Sequence, residues 1–390
     1  MYQSSVLPST HTDLITTAAY DWFGKRLVTA SSDQQIKVWS KAADASWNLE
    51  EEWKAHDAPI ARVAWSHPEH GSLIASCSFD RTVRIFEENS DELKSSNNKR
   101  WSMVAKLSEA RGSVRDLAFG PSELGLRLAT ISSDSYLRLY SPALPSVEDW
   151  YPLFNVHLPS LTSSQPTGSS PSVHNPSEGG ISRTKTNNDK SLGLSVSTAA
   201  GGEAVGGGRC LSWCKEKWWG MILAVGEGTE GEIKIISLPH PSPAQHLLTL
   251  TPPSSQTPSA PSSKTITSLS WAPSCGRDHH LIASGSRDGI VRIWKVTPTE
   301  DENGDEHGSD GVQGGENGWK AACLAELGDH GRSVSKVEWN ATGTVLSSSG
   351  DDGKVRLWKA TYSNRYECMA TFDAHPSEET SVNGGDAEMM

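Results

Sequence analysis

Leu73-Ile-Ala-Ser-Cys-Ser-Phe-Asp80, followed by Val83-Arg-Ile-Phe86, is the stretch of sequence that decides the fold. Two short apolar runs separated by an Asp and two further residues are typical of adjacent strands joined by a tight turn. The same arrangement occurs four more times along the chain, and a degraded copy without the Asp occurs once. Its other copies are residues 27–33 with 36–39, 128–134 with 137–140, 222–226 with 233–236, 281–288 with 291–294, and 345–352 with 355–358.

Each of the six repeats is flanked by two further strand-like segments. The upstream segments each run through one aromatic residue: Tyr20, Trp65, Phe119, Trp213, Trp271 or Trp339. The downstream apolar segments are residues 47–53, 101–107, 150–156, 246–250, 319–327 and 366–372. Four short strands per unit, bounded by turn residues, are the pattern of a propeller blade. The sequence therefore predicts an all-β protein, a β-propeller of six four-stranded blades spanning residues 11–372.

An Asp and a terminal aromatic residue mark five of the six repeats. The Asp suits the tight turn because its carboxylate accepts backbone N–H groups there, and the aromatic residue packs between sheets. These structural positions are Asp33, Trp39, Asp80, Phe86, Asp134, Tyr140, Asp288, Trp294, Asp352 and Trp358. His11, His56 and His330 precede repeats and are expected to join a Ser and that Asp in a buried polar network, which must be fully hydrogen-bonded to be tolerated.

Each such set has the three residue types of a Ser-His-Asp hydrolytic triad, as in His56, Ser76 and Asp80. A set that recurs in several units indicates structure rather than catalysis, and no Gly-x-Ser-x-Gly elbow accompanies it. Cys210 and Cys214 have no second Cys or His pair near them in sequence, as a zinc site would require. No phosphate-binding or dinucleotide fingerprint is present. We therefore predict no catalytic residue, no cofactor and no metal site.

The formal net charge of −12 is concentrated in two segments. Residues 300–318 and 373–390 are acidic and contain no Lys or Arg, so the remainder of the chain is close to neutral. A nucleic-acid-binding protein needs a basic surface, so direct nucleic-acid binding is not expected. No apolar run approaches the roughly 20 residues of a membrane-spanning helix, and no direct membrane insertion is expected. Six scattered cysteines and residues 1–10 without a signal-peptide pattern indicate free thiols in a reducing compartment.

Low-complexity segments interrupt the repeats. Residues 157–209 are rich in Ser, Gly, Pro, Thr and Asn, residues 251–263 in Pro, Ser and Thr, and residues 300–318 in acidic residues and Gly. Such segments cannot bury enough apolar surface to fold, so we predict that they are disordered insertions. The predicted organisation is an N-terminal lead at 1–10, the propeller at 11–372 with these insertions, and an acidic disordered tail at 373–390.

Three segments are more specific than a generic repeat. They are Ala30-Ser-Ser-Asp-Gln34, Trp65-Ser-His-Pro-Glu-His-Gly-Ser-Leu-Ile-Ala-Ser-Cys-Ser-Phe-Asp-Arg-Thr82 and Asn340-Ala-Thr-Gly-Thr-Val-Leu-Ser-Ser-Ser-Gly-Asp-Asp-Gly-Lys-Val-Arg-Leu-Trp-Lys-Ala-Thr-Tyr362. Together they resemble the Seh-type WD40 nucleoporins, the small WD40 subunits of the Y-shaped nuclear pore scaffold complex. The second segment also resembles the sibling WD40 subunit of the COPII outer coat, whereas the other two favour the Seh type.

The resemblance implies an open six-bladed propeller, completed by a seventh blade from an α-solenoid scaffold nucleoporin. It further implies other Y-complex nucleoporins as partners, a place at the nuclear pore in the nuclear envelope, and a second role in a vacuolar or lysosomal coat-like complex that regulates TOR signalling. Unit six ends in its own outer strand, so no closing latch is visible in the sequence. We predict a seam between units one and six, made by Leu14, Ile15, Ala18, Tyr20, Val334, Val337 and Trp339. Two alternatives remain open at this point: a COPII-type coat subunit, and a closed WD40 adaptor that binds peptides.

Overall fold

A computed structural model describes Leu7 and residues 11–89, 100–143, 146–161, 207–253, 264–298, 312–315, 318–363 and 365–373. Apart from short 3₁₀ helices, the regular secondary structure of the described chain is β-strand, arranged as six antiparallel sheets. Each sheet is built from strands that follow one another in the chain, and a tight turn joins the second strand to the third because the repeats carry turn residues between their two apolar runs. The predicted six-bladed, all-β propeller is confirmed.

Strands run from the inner to the outer edge in chain order in five blades, and in blade five β20 lies outside β21. Blade one comprises β1 (Ile15–Tyr20), β2 (Arg26–Ser31), β3 (Gln35–Lys41) and β4 (Trp47–Lys54). Blade two comprises β5 (Ile60–Trp65), β6 (Leu73–Ser78), β7 (Val83–Glu88) and β8 (Trp101–Leu107). Blade three comprises β9 (Val114–Phe119), β10 (Leu128–Ser132), β11 (Tyr136–Pro142) and β12 (Trp150–His157).

The second half of the chain follows the same plan. Blade four comprises β13 (Cys210–Trp213), β14 (Ile222–Glu227), β15 (Glu232–Ser237) and β16 (Gln245–Leu250). Blade five comprises β17 (Ile266–Trp271), β18 (His280–Ser286), β19 (Val291–Pro298), β20 (Val312–Gly315) and β21 (Trp319–Leu327). Blade six comprises β22 (Val334–Trp339), β23 (Val345–Gly350), β24 (Lys354–Ala360) and β25 (Tyr366–Asp373).

Blade five differs from the expectation because it has a fifth strand. β20 pairs antiparallel with β21, and Val312 lies opposite Ala322. These four residues fall inside the 300–318 segment that the sequence assigns to disorder. They add to the outer edge of a sheet whose free N–H and C=O groups can accept a further strand. The insertion predicted at 157–209 is likewise wrong at its start, since His157 ends β12 and Leu158–Ser160 form a 3₁₀ helix. Most of the remaining insertion residues, of the N-terminal lead and of the acidic tail lie outside the described residues.

Short 3₁₀ helices occupy the first turn of three blades, and a fourth follows β12. The first-turn helices are Pro68–His70, Ser122–Leu124 and Lys217–Trp219, and the fourth is Leu158–Ser160. The Gly that ends each first-turn helix has a positive φ, as at Gly71 with φ of 87°. Gly adopts that region at little steric cost, so it can turn the chain back into the second strand.

The hydrophobic core lies between neighbouring blades. Side chains alternate across a strand, so each blade has one face toward the preceding blade and one toward the following blade. In blade five, for example, Trp271 and Trp294 face blade four, whereas Val291 and Ile293 face blade six. All four side chains are almost completely buried.

Candidate partner interface

The described residues form five inter-blade cores around a set of six blades. They join blades one and two, two and three, three and four, four and five, and five and six. Inner strands of neighbouring blades pack in the order β1–β5, β5–β9, β9–β13, β13–β17 and β17–β22, but β22 and β1 do not pack in this way. A closed ring of six blades needs six cores, so no described blade packs on one face of blade one or on one face of blade six. On the blade-one face, Leu27 and Trp39 are nevertheless only 4% and 2% exposed, so the exposure there is confined to other positions.

The open face of blade six carries the third-strand residues Val355 and Leu357. Their counterparts in blades one to five are between 0% and 3% exposed: Ile36, Val38, Val83, Ile85, Leu137, Leu139, Ile233, Ile235, Val291 and Ile293. In blade six, Val355 is 37% exposed and Leu357 is partly exposed. Phe372 pairs with Val355 across the sheet and is 36% exposed. The same apolar pattern is buried elsewhere because a following blade covers it.

The open face of blade one carries the residues predicted for that side of the seam. Leu14, Ile15 and Tyr20 are 72%, 47% and 61% exposed, and Ala18 is also exposed. The positions equivalent to Ile15 in blades two, three, five and six are no more than 2% exposed: Ile60, Val114, Ile266 and Val334. A preceding blade covers those positions, and the described residues provide no such blade in front of β1.

Val334, Val337 and Trp339, predicted for the blade-six side of the seam, lie instead in the core between blades five and six. They are at most 7% exposed. They are the counterparts of Ile15, Ala18 and Tyr20, and equivalent positions in a head-to-tail ring all face the same way. The blade-six side of the gap is therefore formed by the opposite face, which sequence reasoning missed. The available signal was the apolar alternation of Val355 and Leu357 in the last repeat.

Each repeat Asp caps the turn that follows the second strand. Its carboxylate accepts the backbone N–H two residues further on, over distances of 2.9 Å at Asp33 and Asp80, 3.1 Å at Asp134, 3.0 Å at Asp288 and 3.2 Å at Asp352. Burial by itself raises the pKa of Asp80 and Asp352. Hydrogen bonds from His56 to Asp80, and from Arg356 and His330 to Asp352, outweigh it and hold both pKa values well below the usual range.

The histidine networks of blades one, two and six join the turn to the second strand. In blade six, His330 Nδ1 lies 2.9 Å from Asp352, and His330 Nε2 lies 2.7 Å from Ser348 Oγ. The indole N–H of Trp358 donates to the same oxygen over 2.8 Å. Trp39 and Thr29 form the equivalent bond in blade one over 2.9 Å, and Trp294 and Ser284 in blade five over 3.0 Å. Besides packing between sheets, the terminal Trp is thus a hydrogen-bond donor, a role that sequence reasoning did not assign.

These networks do not resemble a working catalytic triad. His56 and Ser76 are 2.8 Å apart, but both are 0% exposed. An attacking hydroxyl must come within about 3.5 Å of a substrate carbon, and a wholly buried oxygen offers no such approach. The arrangement fixes the strands of one blade to one another.

Arginine takes the place of histidine in blades three and five. Arg138 donates to Asp134 over 2.8 Å and Arg292 donates to Asp288 over 2.9 Å. Arg138 and Arg292 are 4% and 2% exposed, so the paired charge is compensated inside the blade. Blades two and six carry the same Arg, as Arg84 and Arg356, together with their His. The sequence signal for the substitution is therefore the missing His four residues before the inner strand, where blades three and five have Ala110 and Ser262.

Metal-binding clusters and membrane-spanning helices are absent from the described ranges. No group of three or more His, Cys, Asp or Glu side chains there could hold a metal ion, and Cys210 and Cys214 are buried in the core between blades four and five. None of the described helices has both the length and the apolar character needed to cross a membrane.

Comparison with known proteins connects this geometry to a family. Residues 3–40, 47–87, 254–295 and 321–359 match the model of the WD domain, G-beta repeat. Nucleoporin SEH1 of Saccharomyces cerevisiae is 34% identical over 94% of this chain and 98% of its own length. Nucleoporin seh1 of Schizosaccharomyces pombe is 31% identical over 96% and 98%, and nucleoporin SEH1 of Homo sapiens is 30% identical over 98% and 91%.

Solved structures show the same architecture at lower identity. Chaetomium thermophilum Sqt1 bound to the N-terminus of the ribosomal protein L10 has a TM-score of 0.54 at 21% identity, covering 94% of this chain and 76% of that one. Saccharomyces cerevisiae Sqt1 has a TM-score of 0.55 at 14% identity, covering 93% and 74%. At these identities the likeness concerns the fold alone.

Proposed function

The chain belongs to the SEH1 family of WD40 nucleoporins, and from that premise we propose that it is a non-catalytic scaffold subunit of the Y-shaped nuclear pore complex. In this proposal it binds an α-solenoid scaffold nucleoporin by accepting strands of that partner as a seventh blade. The other Y-complex nucleoporins join through this assembly at the nuclear envelope.

The pair of uncovered blade faces carries the proposal. Val355 and Leu357 occupy positions that are buried in blades one to five. Ile15 occupies a position that is buried in blades two, three, five and six, and Tyr20 one that is buried in blades four, five and six. Burying such side chains contributes about 1.5–3 kcal/mol each, so leaving them in water is costly for the isolated chain. A sheet inserted between the two faces would cover both at once.

The occupant that fits is a sheet packed face to face. Exposed residues lie on the blade surfaces, and Leu49 extends the apolar surface of blade one to its outer strand at 40% exposure. Pairing of a single strand with a sheet edge would leave these faces in water. A partner that supplies a sheet of several strands therefore suits the gap better than one that adds a strand to an edge.

The second role inferred from the resemblance is part of the same proposal. A vacuolar or lysosomal coat-like complex that regulates TOR signalling would use a subunit with an equivalent inserted sheet, so the same gap serves both assemblies. A COPII-type coat would also use such a gap, and the matched SEH1 relatives favour the pore instead. A closed peptide-binding adaptor needs a sixth inter-blade core, which the described residues do not form.

The test is a purification of the tagged chain from its own cells, comparing Leu357→Glu with Met103→Glu. Met103 is an exposed apolar residue on an outer strand of blade two, 52% exposed and away from the gap. We expect the unmodified chain and Met103→Glu to recover α-solenoid nucleoporins in fixed proportion. With Leu357→Glu, the amount of nucleoporin recovered should fall at least tenfold. A vacuolar coat-like set lost in parallel would support the second role.

Two outcomes would contradict the proposal. Recovery of COPII coat proteins in place of nucleoporins would assign the chain to the sibling type. Equal recovery of the nucleoporin by Leu357→Glu and Met103→Glu would show that the partner binds elsewhere.

A further inference from the structure

Side chains of one blade accept backbone N–H groups of the next blade along the inner strands. Asp116 Oδ2 accepts the N–H of Leu211 over 3.0 Å, and Ser212 Oγ accepts the N–H of Trp271 over 2.9 Å. Blade five makes two such bonds to blade six, from Val337 N–H to Ser268 over 3.2 Å and from Trp339 N–H to Ser270 over 3.1 Å. Three of the five inter-blade contacts are joined in this way.

The bonds follow a positional rule. The acceptors lie one residue before the inner-strand aromatic residue (Ser212 and Ser270) or three residues before it (Asp116 and Ser268). The donors are the N–H of the next blade's aromatic residue and the N–H two residues before it. The inner strands of blades one to three use other contacts: an indole bond from Trp65 to the carbonyl of Ala19, and the Arg62–Asp116 ion pair.

At the gap, the same rule identifies the backbone donors of blade one and the side-chain positions of blade six that would bond to an inserted strand. In blade one the two donor N–H groups belong to Tyr20 and Ala18, and no described blade precedes them. In blade six the two acceptor positions hold Glu338 and Lys336, whose side chains are 62% and 39% exposed and form an ion pair of 3.0 Å. A carboxylate accepts hydrogen bonds, whereas an ammonium group only donates them.

Resting on the proposed function, we infer that the inner strand of the inserted sheet carries two oxygen-bearing side chains, two residues apart, that accept the N–H groups of Ala18 and Tyr20. Ser, Thr, Asp or Asn supplies such an oxygen. On its other side, the same strand donates one backbone N–H to the Glu338 carboxylate, whose second oxygen stays with Lys336.

The two sides of the gap therefore differ in chemistry. Blade one presents two N–H donors, so the partner's side chains must supply acceptors there. Blade six presents one charged acceptor, Glu338, and one cation, Lys336. Hydrogen bonds to a charged acceptor are about twice as strong as those between neutral groups. A partner sheet inserted in the reverse orientation would place its side-chain oxygens against blade six and leave the N–H groups of Ala18 and Tyr20 unpaired. The arrangement therefore selects one orientation.

The first test is hydrogen exchange on the full chain, free and in the natural complex purified through its tag. Ala18 and Tyr20 amides are expected to exchange at least tenfold more slowly in the complex. Unchanged exchange at both amides, with the nucleoporin fully bound, would overturn the inference and leave the proposed function standing.

The second test uses three variants of the tagged chain. Glu338→Gln keeps a neutral acceptor oxygen, Glu338→Leu removes it, and Glu123→Leu is the control at an exposed carboxylate in a turn of blade three. We expect Glu338→Leu to weaken retention of the nucleoporin by roughly fivefold to a hundredfold, because a buried N–H is left unpaired. Glu338→Gln should retain more partner than Glu338→Leu. Glu338→Leu retaining as much as Glu123→Leu would refute the inference, whereas failure of the proposed function is detected separately by Leu357→Glu.

Discussion

Val355 and Val291 occupy the same position in two successive blades, yet Val355 is 37% exposed and Val291 is fully buried. The register is the same as well, since Val355 lies opposite Ser349 and Val291 opposite Gly285. The difference arises from the neighbour that each blade has. Blade six covers Val291, whereas no described blade covers Val355.

This pair provides the first prediction. Val291→Ala should lower the free energy of unfolding of the isolated chain by about 2 kcal/mol, since it removes buried methyl groups and leaves a cavity. Val355→Ala should change it by less than about 0.5 kcal/mol, as expected for a surface substitution. Urea unfolding monitored by tryptophan fluorescence gives both values. Equal losses for the two variants would mean that the last face is covered within the isolated chain.

The second prediction concerns the network of blade six. Ser348→Ala removes the acceptor shared by His330 and Trp358 and leaves two buried polar atoms unpaired, so a loss of about 2–4 kcal/mol is expected. The neighbouring Ser347 is the matched control, because its hydroxyl bonds the carbonyl of Glu338 at an exposed site. Ser347→Ala should cost less than about 1 kcal/mol in the same unfolding measurement. A cost for Ser348→Ala no larger than that of Ser347→Ala would contradict the assigned role of the network.

The third prediction is a pH dependence centred on His280. Burial lowers the pKa of His280 to about 4, in a cluster where its ring centroid lies 5.3 Å from that of Trp219 and 5.5 Å from that of Trp271. The unfolded chain, with a pKa near 6.5, binds a proton that the folded state excludes. Stability attributable to this residue is thus present above about pH 6.5 and is lost as the pH falls toward about 4.

The expected loss is at most about 3 kcal/mol across that range, at 1.36 kcal/mol per pKa unit. His280→Phe should be less sensitive than the unmodified chain when the free energies of unfolding at pH 7 and pH 5 are compared. Asp80 and Asp352 do not interfere, because their depressed pKa values matter only below about pH 4. The same pH sensitivity in His280→Phe as in the unmodified chain would exclude His280 as its source.

The fourth prediction concerns thiol reactivity. Cys275 and Cys368 are exposed, whereas Cys77, Cys210 and Cys214 are buried. Burial raises the pKa of Cys214 to about 11 and holds those of Cys77 and Cys210 well above the usual range, so little thiolate forms at neutral pH. Iodoacetamide labelling read by mass spectrometry should modify Cys275 and Cys368 in the folded chain and the three buried thiols only after unfolding. Rapid labelling of Cys210 in the folded chain would show that the core between blades four and five opens.

Much of the fold could be predicted from the sequence pattern, because each blade is built from strands that are close together in the chain. The downstream segments predicted at 101–107 and 319–327 coincide with β8 and β21, and the other outer strands agree to within one residue at either end. Even the weak fourth repeat, which lacks the turn Asp and the terminal aromatic residue, forms a full blade. Its alternating apolar residues, such as Ile233 and Ile235, are sufficient to fill the core.

The residues at the gap could be predicted on one side only. Ile15, Ala18 and Tyr20, predicted for the blade-one side of the seam, lie at the gap, in a strand whose register shifts between Ile15 and Thr17. The period of two along a strand determines which residues share a face. It does not determine which face meets which neighbour. Val334, Val337 and Trp339, predicted for the blade-six side of the seam, instead pack against blade five.

The sequence by itself determined the number of blades, the strands of each blade and the membership of the family, since these depend on residues close together in the chain. Only the tertiary structure decided where the uncovered faces lie and that they are made of non-equivalent positions. The physical reason is that a head-to-tail ring gives every blade a leading and a trailing face. An interruption of the ring exposes one face of each kind, and burial against a neighbour is a property of the assembled blades rather than of any single repeat.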